Sequence, residues 1–303
     1  RLVKKTSVRF FLSLLIILAI FQFTSGCFTF RMSNSEVNDY FAKDLYKPTI
    51  DNYKVGERQI NYASLGADTL PTVIFFHGAP GSWSAFIDYF KNDSLLHMAK
   101  LIAVDRPGFG YSNLGNSEPS LDNQALLLKH ILEVNASTPT ILVGHSLGGP
   151  IIAKLAMNYP DLVNGLIMIA PSVDPELEPD EDWFRMPLHT PFLRWILPAS
   201  LRVTNDEIYF LENELKSMSD QWKNIEVPVT VIHGYNDKLV PVGNASFAKT
   251  NLINAEYVDM VLIEDMNHFI PWSRPDLVND AILKHLETKK ALPRDNASSS
   301  IQK

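Results

Sequence analysis

The segment Thr140–Gly149 constrains this chain more than any other. Thr140-Ile-Leu-Val143 is a short apolar, β-branched run, the pattern of a buried strand. Pro150-Ile-Ile-Ala-Lys-Leu-Ala-Met157 follows with a helical pattern. Between them stand only Gly144-His145-Ser146-Leu147-Gly148-Gly149. Strand, sharp turn and helix must share those few positions, with Ser146 at the apex. Glycines on both sides leave room for strand and helix to approach. Such a turn forces the serine backbone into strain and leaves its hydroxyl exposed above the sheet. Ser146 is therefore the candidate nucleophile, and a merely structural turn is the competing reading.

Composition limits what can surround that turn. The chain has 303 residues, 46% hydrophobic and 20% charged, which suits one large core with a modest insertion. Net charge is −7 and there is no Lys/Arg stripe, which argues against a nucleic-acid partner, since such binding rests on neutralising phosphates. A single cysteine permits no intramolecular disulfide. No His-x-x-x-His, Cys-x-x-Cys or dense acidic loop is present, so no metal and no cofactor are expected.

Strand and helix patterns alternate along the chain. Strands are expected at 59–65, 72–76, 101–104, 140–143, 163–170, 227–233 and 257–263. Helical patterns lie around 83–90, 124–132 and 275–289. This order predicts an α/β fold: a mostly parallel sheet with helices on both faces, and a site at the carboxyl ends of the strands. The interval between Ala170 and Val227 breaks the alternation. It is rich in aromatic and aliphatic residues and contains an expected helix with Asn205 as N-cap, and Asp206 and Glu207 in its first turn. A small helical cap over the site is expected at about 172–224.

A serine hydroxyl needs a base, an orienting group for that base, and donors for the developing oxyanion. His268 follows the last strand and precedes the last helix, in a loop able to reach the serine. His285 and His130 fall in helical patterns, where a solvated face is the default, and His233 ends a buried strand, where packing is the expectation. Asp237 follows the penultimate strand and is the expected orienting acid, with Asp174 as the alternative. The backbone N–H of Leu147 is one expected oxyanion donor. Ala79, in His77-Gly-Ala-Pro-Gly81, is the expected second, with His77 bracing that loop.

Residues 77–81, 105–110 and 144–149, with Asp237 and His268, together resemble the α/β-hydrolase fold family. The resemblance covers about residues 55–290 and implies catalysis through a Ser146–His268–Asp237 triad and an acyl-enzyme. Dehalogenases and epoxide hydrolases of this fold carry aspartate at the elbow, so Ser146 speaks against both. A carboxylic ester with an apolar acyl or aromatic group is the expected small-molecule substrate. Carbon–carbon bond hydrolysis, acyl transfer and a non-catalytic envelope binding protein are the alternatives.

The N-terminus resembles a bacterial lipoprotein signal peptide. Arg1, Lys4, Lys5 and Arg9 precede an apolar run from Phe10 to Phe23, and Thr24-Ser-Gly26 leads to Cys27. The run is short beside the ~20 residues of a membrane span. The resemblance implies cleavage after residue 26 and lipid attachment at Cys27, hence a membrane partner. Phe28 in place of aspartate favours the outer membrane where there are two. An uncleaved signal anchor and an incidental cysteine are the other readings. A capping box at Ser33–Glu36 predicts that structure resumes close to the anchor, within an N-terminal segment 27–54. A disordered tail is expected over 291–303.

Overall fold

The computed structural model describes residues 28–290; the expected signal peptide, the expected lipid attachment at Cys27 and the tail from 291 fall outside the described residues. The chain builds an eight-stranded sheet. Its strands are β1 (Thr49–Val55), β2 (Arg58–Leu65), β3 (Thr72–Phe76), β4 (Lys100–Val104), β5 (Thr140–His145), β6 (Gly165–Ile169), β7 (Val229–Gly234) and β8 (Val258–Ile263). They lie in the order β1-β2-β4-β3-β5-β6-β7-β8. β2 runs antiparallel to β1 and β4; every pairing from β4 to β8 is parallel.

The central strands are wholly buried because helices cover both faces of the sheet. Side chains alternate between those faces. From β3, Ile74 and Phe76 join Leu142, Leu166, Ile152 and Leu215 on one side. Val73 and Phe75 join Val143, Ile167, Trp83 and Ile282 on the other. Each such side chain, fully buried, contributes about 1.5–3 kcal/mol.

The sheet begins earlier than the sequence pattern indicates. Thr49–Val55 pairs along its whole length with β2. A domain boundary at 54/55 would therefore cut through a strand. β1 is an edge strand, mostly exposed or half-buried, so it carries no strong apolar alternation. Ser33 does form a capping box with Glu36, opening the Asn34–Tyr40 helix, and Val37 and Phe41 are buried behind it. The expected helix at 83–90 is a kinked 3-10 segment, Trp83–Lys91.

Between β6 and β7 the chain is helical, with Asp182–His189, Pro191–Arg194 and the long Ala199–Met218 helix. Asn205 is not an N-cap: that helix starts at Ala199 behind Pro198. Asn205, Asp206 and Glu207 instead lie buried in its interior. Asp206 accepts from Ser117 and meets His189 and Arg194. Glu207 meets Arg106. Buried carboxylates survive there because each has charged or polar partners.

Candidate active site

Ser146 sits at the tip of β5, and its φ is +54°, the left-handed region that a side chain rarely adopts. Two neighbouring glycines make this turn possible. A Cβ on Gly144 would lie 2.4 Å from the Gly148 carbonyl oxygen, and one on Gly148 would lie 2.2 Å from that of Phe76. The Ser146 N–H is not idle, donating to Ile169 O at 2.9 Å, so the bend is tied to β6. Leu147 opens the Gly148–Asn158 helix at its N-terminus, where backbone N–H groups lack helical partners.

His268 and Asp237 reach the site from the loops after β8 and β7. His268 Nδ1 and Asp237 Oδ2 are 2.7 Å apart, so an Nδ1–H donates to the carboxylate and leaves Nε2 available. Asp237 Oδ1 accepts from the N–H groups of Leu239 and Val240, both at 2.9 Å. Burial works to raise the Asp237 carboxyl, but bonds from His233, His268 and the Val240 N–H outweigh it and hold it well below the usual range. The carboxylate is thus charged and fixed in direction.

The His77–Gly81 loop, where the second oxyanion donor is expected, is held from within the body. His77 is buried, donates from Nδ1 to Gly78 O at 2.6 Å and accepts the Arg106 N–H on Nε2 at 3.0 Å. Burial and the adjacent Arg106 charge keep it well below the ordinary histidine range, hence neutral. Asp105 supports the same corner, accepting from Trp83 N, Tyr111 N and Asn61 Nδ2. Asp174, the alternative acid, caps the Pro175–Leu177 turn instead.

Three features were not read from the sequence. Arg106 is fully buried, with Nε donating to His77 O at 2.8 Å and Nη2 to Gly78 O at 3.3 Å. Its guanidinium also meets Glu207 of the long cap helix in a fork, at 2.8 and 3.0 Å. The cap thereby grips the group that holds the oxyanion loop. His145 is the second feature. Its Nε2–H donates to the His268 carbonyl at 3.0 Å, and the two rings lie 4.7 Å apart. Burial first, and then the His268 charge, push His145 down to about 3. The third is His285, which is buried and bonded to Thr230 Oγ1 at 3.0 Å rather than solvated. Close packing of the last helix on the sheet accounts for this.

Ser146, His268, Ala79 and Leu147 all line one cavity of about 720 Å³. Its wall is largely apolar, with Ile208 and Leu211 from the long cap helix, and Leu239, Val240, Phe269 and Trp272 from the body. Glu178 also lines it, accepting from Ser172 Oγ, and burial raises its carboxyl. Among the described residues, no group of three or more His, Cys, Asp or Glu is placed to hold a metal ion.

The family model described as the alpha/beta hydrolase fold matches residues 71–193, which include the 77–81 loop and the turn at Ser146. The chain has the α/β-hydrolase fold. Protein ABHD8 of Bos taurus is 28% identical over 265 residues, covering 75% of this chain. This chain spans 60% of that protein's length. The (E)-2-((N-methylformamido)methylene)succinate hydrolase of Acinetobacter baylyi is 23% identical over 248 residues, 71% of this chain and 90% of that protein. Among solved structures, a bacterial membrane phospholipase A superposes with a TM-score of 0.63 at 18% identity, over 94% of this chain and 99% of its own. These likenesses show the hydrolase fold. The motif residues of that fold lie here at the carboxyl ends of β3, β5, β7 and β8.

Proposed function

We propose that the chain is a serine hydrolase of carboxylic esters with an apolar acyl or aromatic group. One observation carries the reading: a serine in a strained turn shares a cavity with a histidine whose far nitrogen is held by a buried carboxylate. Ser146 Oγ attacks the ester carbonyl carbon while its proton passes to His268 Nε2. Asp237 holds the imidazole in the tautomer that can take this proton and stabilises the resulting cation. Negative charge on the carbonyl oxygen meets the N–H groups of Leu147 and Ala79; one such donor is worth about 3 kcal/mol of transition-state stabilisation. Collapse expels the alcohol, which takes the proton from His268. Water then repeats the sequence on the acyl-enzyme, releasing the acid and restoring Ser146.

The largely apolar cavity wall supports an apolar acyl or aromatic group, and an ester is the simplest bond for a serine acyl-enzyme. The choice of an ester is also in keeping with the solved membrane phospholipase A, whose name denotes an ester hydrolase. The test uses the purified protein, a fluorophosphonate probe and a graded series of p-nitrophenyl esters, beside Ser146→Ala. Labelling and turnover are expected in the parent and absent in the variant. A folded parent that neither labels nor turns over any ester would overturn the reading.

The same proposal includes attachment to a bacterial envelope membrane through lipid on Cys27. Its support is the basic, apolar, small-residue run before that cysteine. Metabolic labelling with a clickable fatty acid should mark the parent and not Cys27→Ser.

A further inference from the structure

The cavity that holds Ser146 has an unusual rim. Phe30, Leu239, Phe269 and Trp272 all line it, yet they are 45%, 63%, 50% and 45% exposed. A side chain that both lines a cavity and meets solvent stands at its mouth. These come from separate places: the N-terminal segment, the loop after β7, the loop after β8, and the short Ile270–Ser273 helix. Aromatic and aliphatic groups gathered from distant segments at one opening form an exposed apolar patch, a mark of an interaction surface. Tryptophan and phenylalanine at such a rim suit the boundary between water and hydrocarbon.

The position of the N-terminus says what covers this patch. Residues 29–32 are fastened to the body beside the mouth. Ser200 Oγ donates to Thr29 O, Arg31 Nη1 donates to Gly110 O at 2.7 Å, and Tyr111 Oη donates to Met32 O at 3.2 Å. The described chain therefore starts at the rim, one residue beyond Cys27 and a few beyond the apolar run Phe10–Phe23. Whatever holds that run or that cysteine in a lipid leaflet holds the mouth against the same leaflet.

We infer that the cavity mouth docks on the bilayer surface, with Phe30, Leu239, Phe269 and Trp272 inserted at the interface, and that the cavity takes an acyl chain directly from the leaflet. The docking rests on the proposed membrane attachment of the N-terminus, and the entry of an acyl ester on the serine-hydrolase reading. With a net charge of −7 the chain gains nothing from anionic headgroups, so apolar contact with zwitterionic lipid carries the docking. The bound ester never crosses water, which relieves the apolar cavity of any need to extract it from solution.

The experiment uses the full chain reconstituted in phosphatidylcholine vesicles containing a nitroxide-labelled phospholipid. A fluorophore is placed through Leu239→Cys, or in a second protein through Ile253→Cys, with the parent as background for label on Cys27. Leu239 and Ile253 are comparably exposed, 63% and 70%, but Ile253 precedes β8 at the amino end of the strand, away from the mouth. Quenching at position 239 is expected to exceed that at 253 by at least threefold. Equal quenching, or none at 239, overturns docking, including the case in which a second copy of the chain covers the patch. Phe269→Cys repeats the measurement if Leu239→Cys fails to fold by circular dichroism. No turnover enters this readout, so docking can fail while the ester hydrolase stands, and the reverse.

Discussion

Removing the Glu207 carboxylate is the sharpest test of how the cap supports the site. Arg106 is fully buried, and Glu207 is the counter-charge that meets its guanidinium, in a fork at 2.8 and 3.0 Å. Glu207→Ala leaves that cation in the interior with carbonyl oxygens, Gln124 and the face of the Phe109 ring around it, but no counter-charge. Breaking a buried pair from one side costs about 3–5 kcal/mol. For a domain of this size that corresponds to a fall in Tm of roughly 6–20 °C. Glu207→Gln keeps an oxygen for Arg106 and should lose about 1.5–3 kcal/mol, the worth of a hydrogen bond to a charged group. The kinetic effect travels through the loop. Arg106 also holds His77 O and Gly78 O, next to Ala79, so a relaxed Arg106 lets the second oxyanion donor drift. Complete loss of one donor costs ~10²–10³ in kcat, which bounds the effect. Denaturant melts and p-nitrophenyl ester kinetics should show kcat falling about tenfold or more in Glu207→Ala, with a smaller change in KM. A variant with unchanged melting and full kcat would refute the coupling of cap to loop.

Other outcomes follow from the same geometry. Asp237→Asn should lower kcat by roughly 10³–10⁴, by favouring the wrong His268 tautomer, while leaving fluorophosphonate access open; the ester assay decides. Gly148→Ala places a methyl 2.2 Å from the Phe76 carbonyl oxygen, so the elbow must shift, and a shift near 1 Å costs ~10²-fold in ester turnover. His145 makes stability acid-sensitive. Its folded value, about 3, lies below the unfolded 6.5, so its contribution is complete above pH 6.5 and is lost as pH falls toward 3. Between pH 6.5 and 5 the parent should lose about 1.6 kcal/mol more than His145→Gln, which keeps a donor but does not titrate; urea melts at the two pH values measure it.

How far the sequence reached depends on how local each cause is. β3 to β6 were legible because burial on both faces writes a continuous apolar run. The elbow was legible because its steric demand is met within five adjacent positions. Asp237 and His268 were legible as loop positions after strands, since strand ends define the site edge. The interior of the cap helix was not. Asn205, Asp206 and Glu207 carry the chemistry of a helix start, and their burial depends on His189, Arg194, Ser117 and Arg106, partners set by tertiary packing. His145 and His285 were misjudged or passed over for the same reason. Each is defined by a group more than fifty positions away, the His268 carbonyl and the Thr230 hydroxyl. β1 escaped because an edge strand buries too little to pattern its residues.

The sheet order has a consequence for the order in which the site can come into being. The strand β5 that carries Ser146 is flanked by β3 and β6, while Asp237 and His268 hang from β7 and β8, added in succession at one end. Synthesis delivers the elbow first and the imidazole more than a hundred positions later. A nascent or clipped chain lacking the C-terminal third holds a bent serine with nothing to draw off its proton. On the proposed function, ester turnover is thus withheld until the last two strands have docked, and a nick that releases β8 is expected to abolish it without touching Ser146.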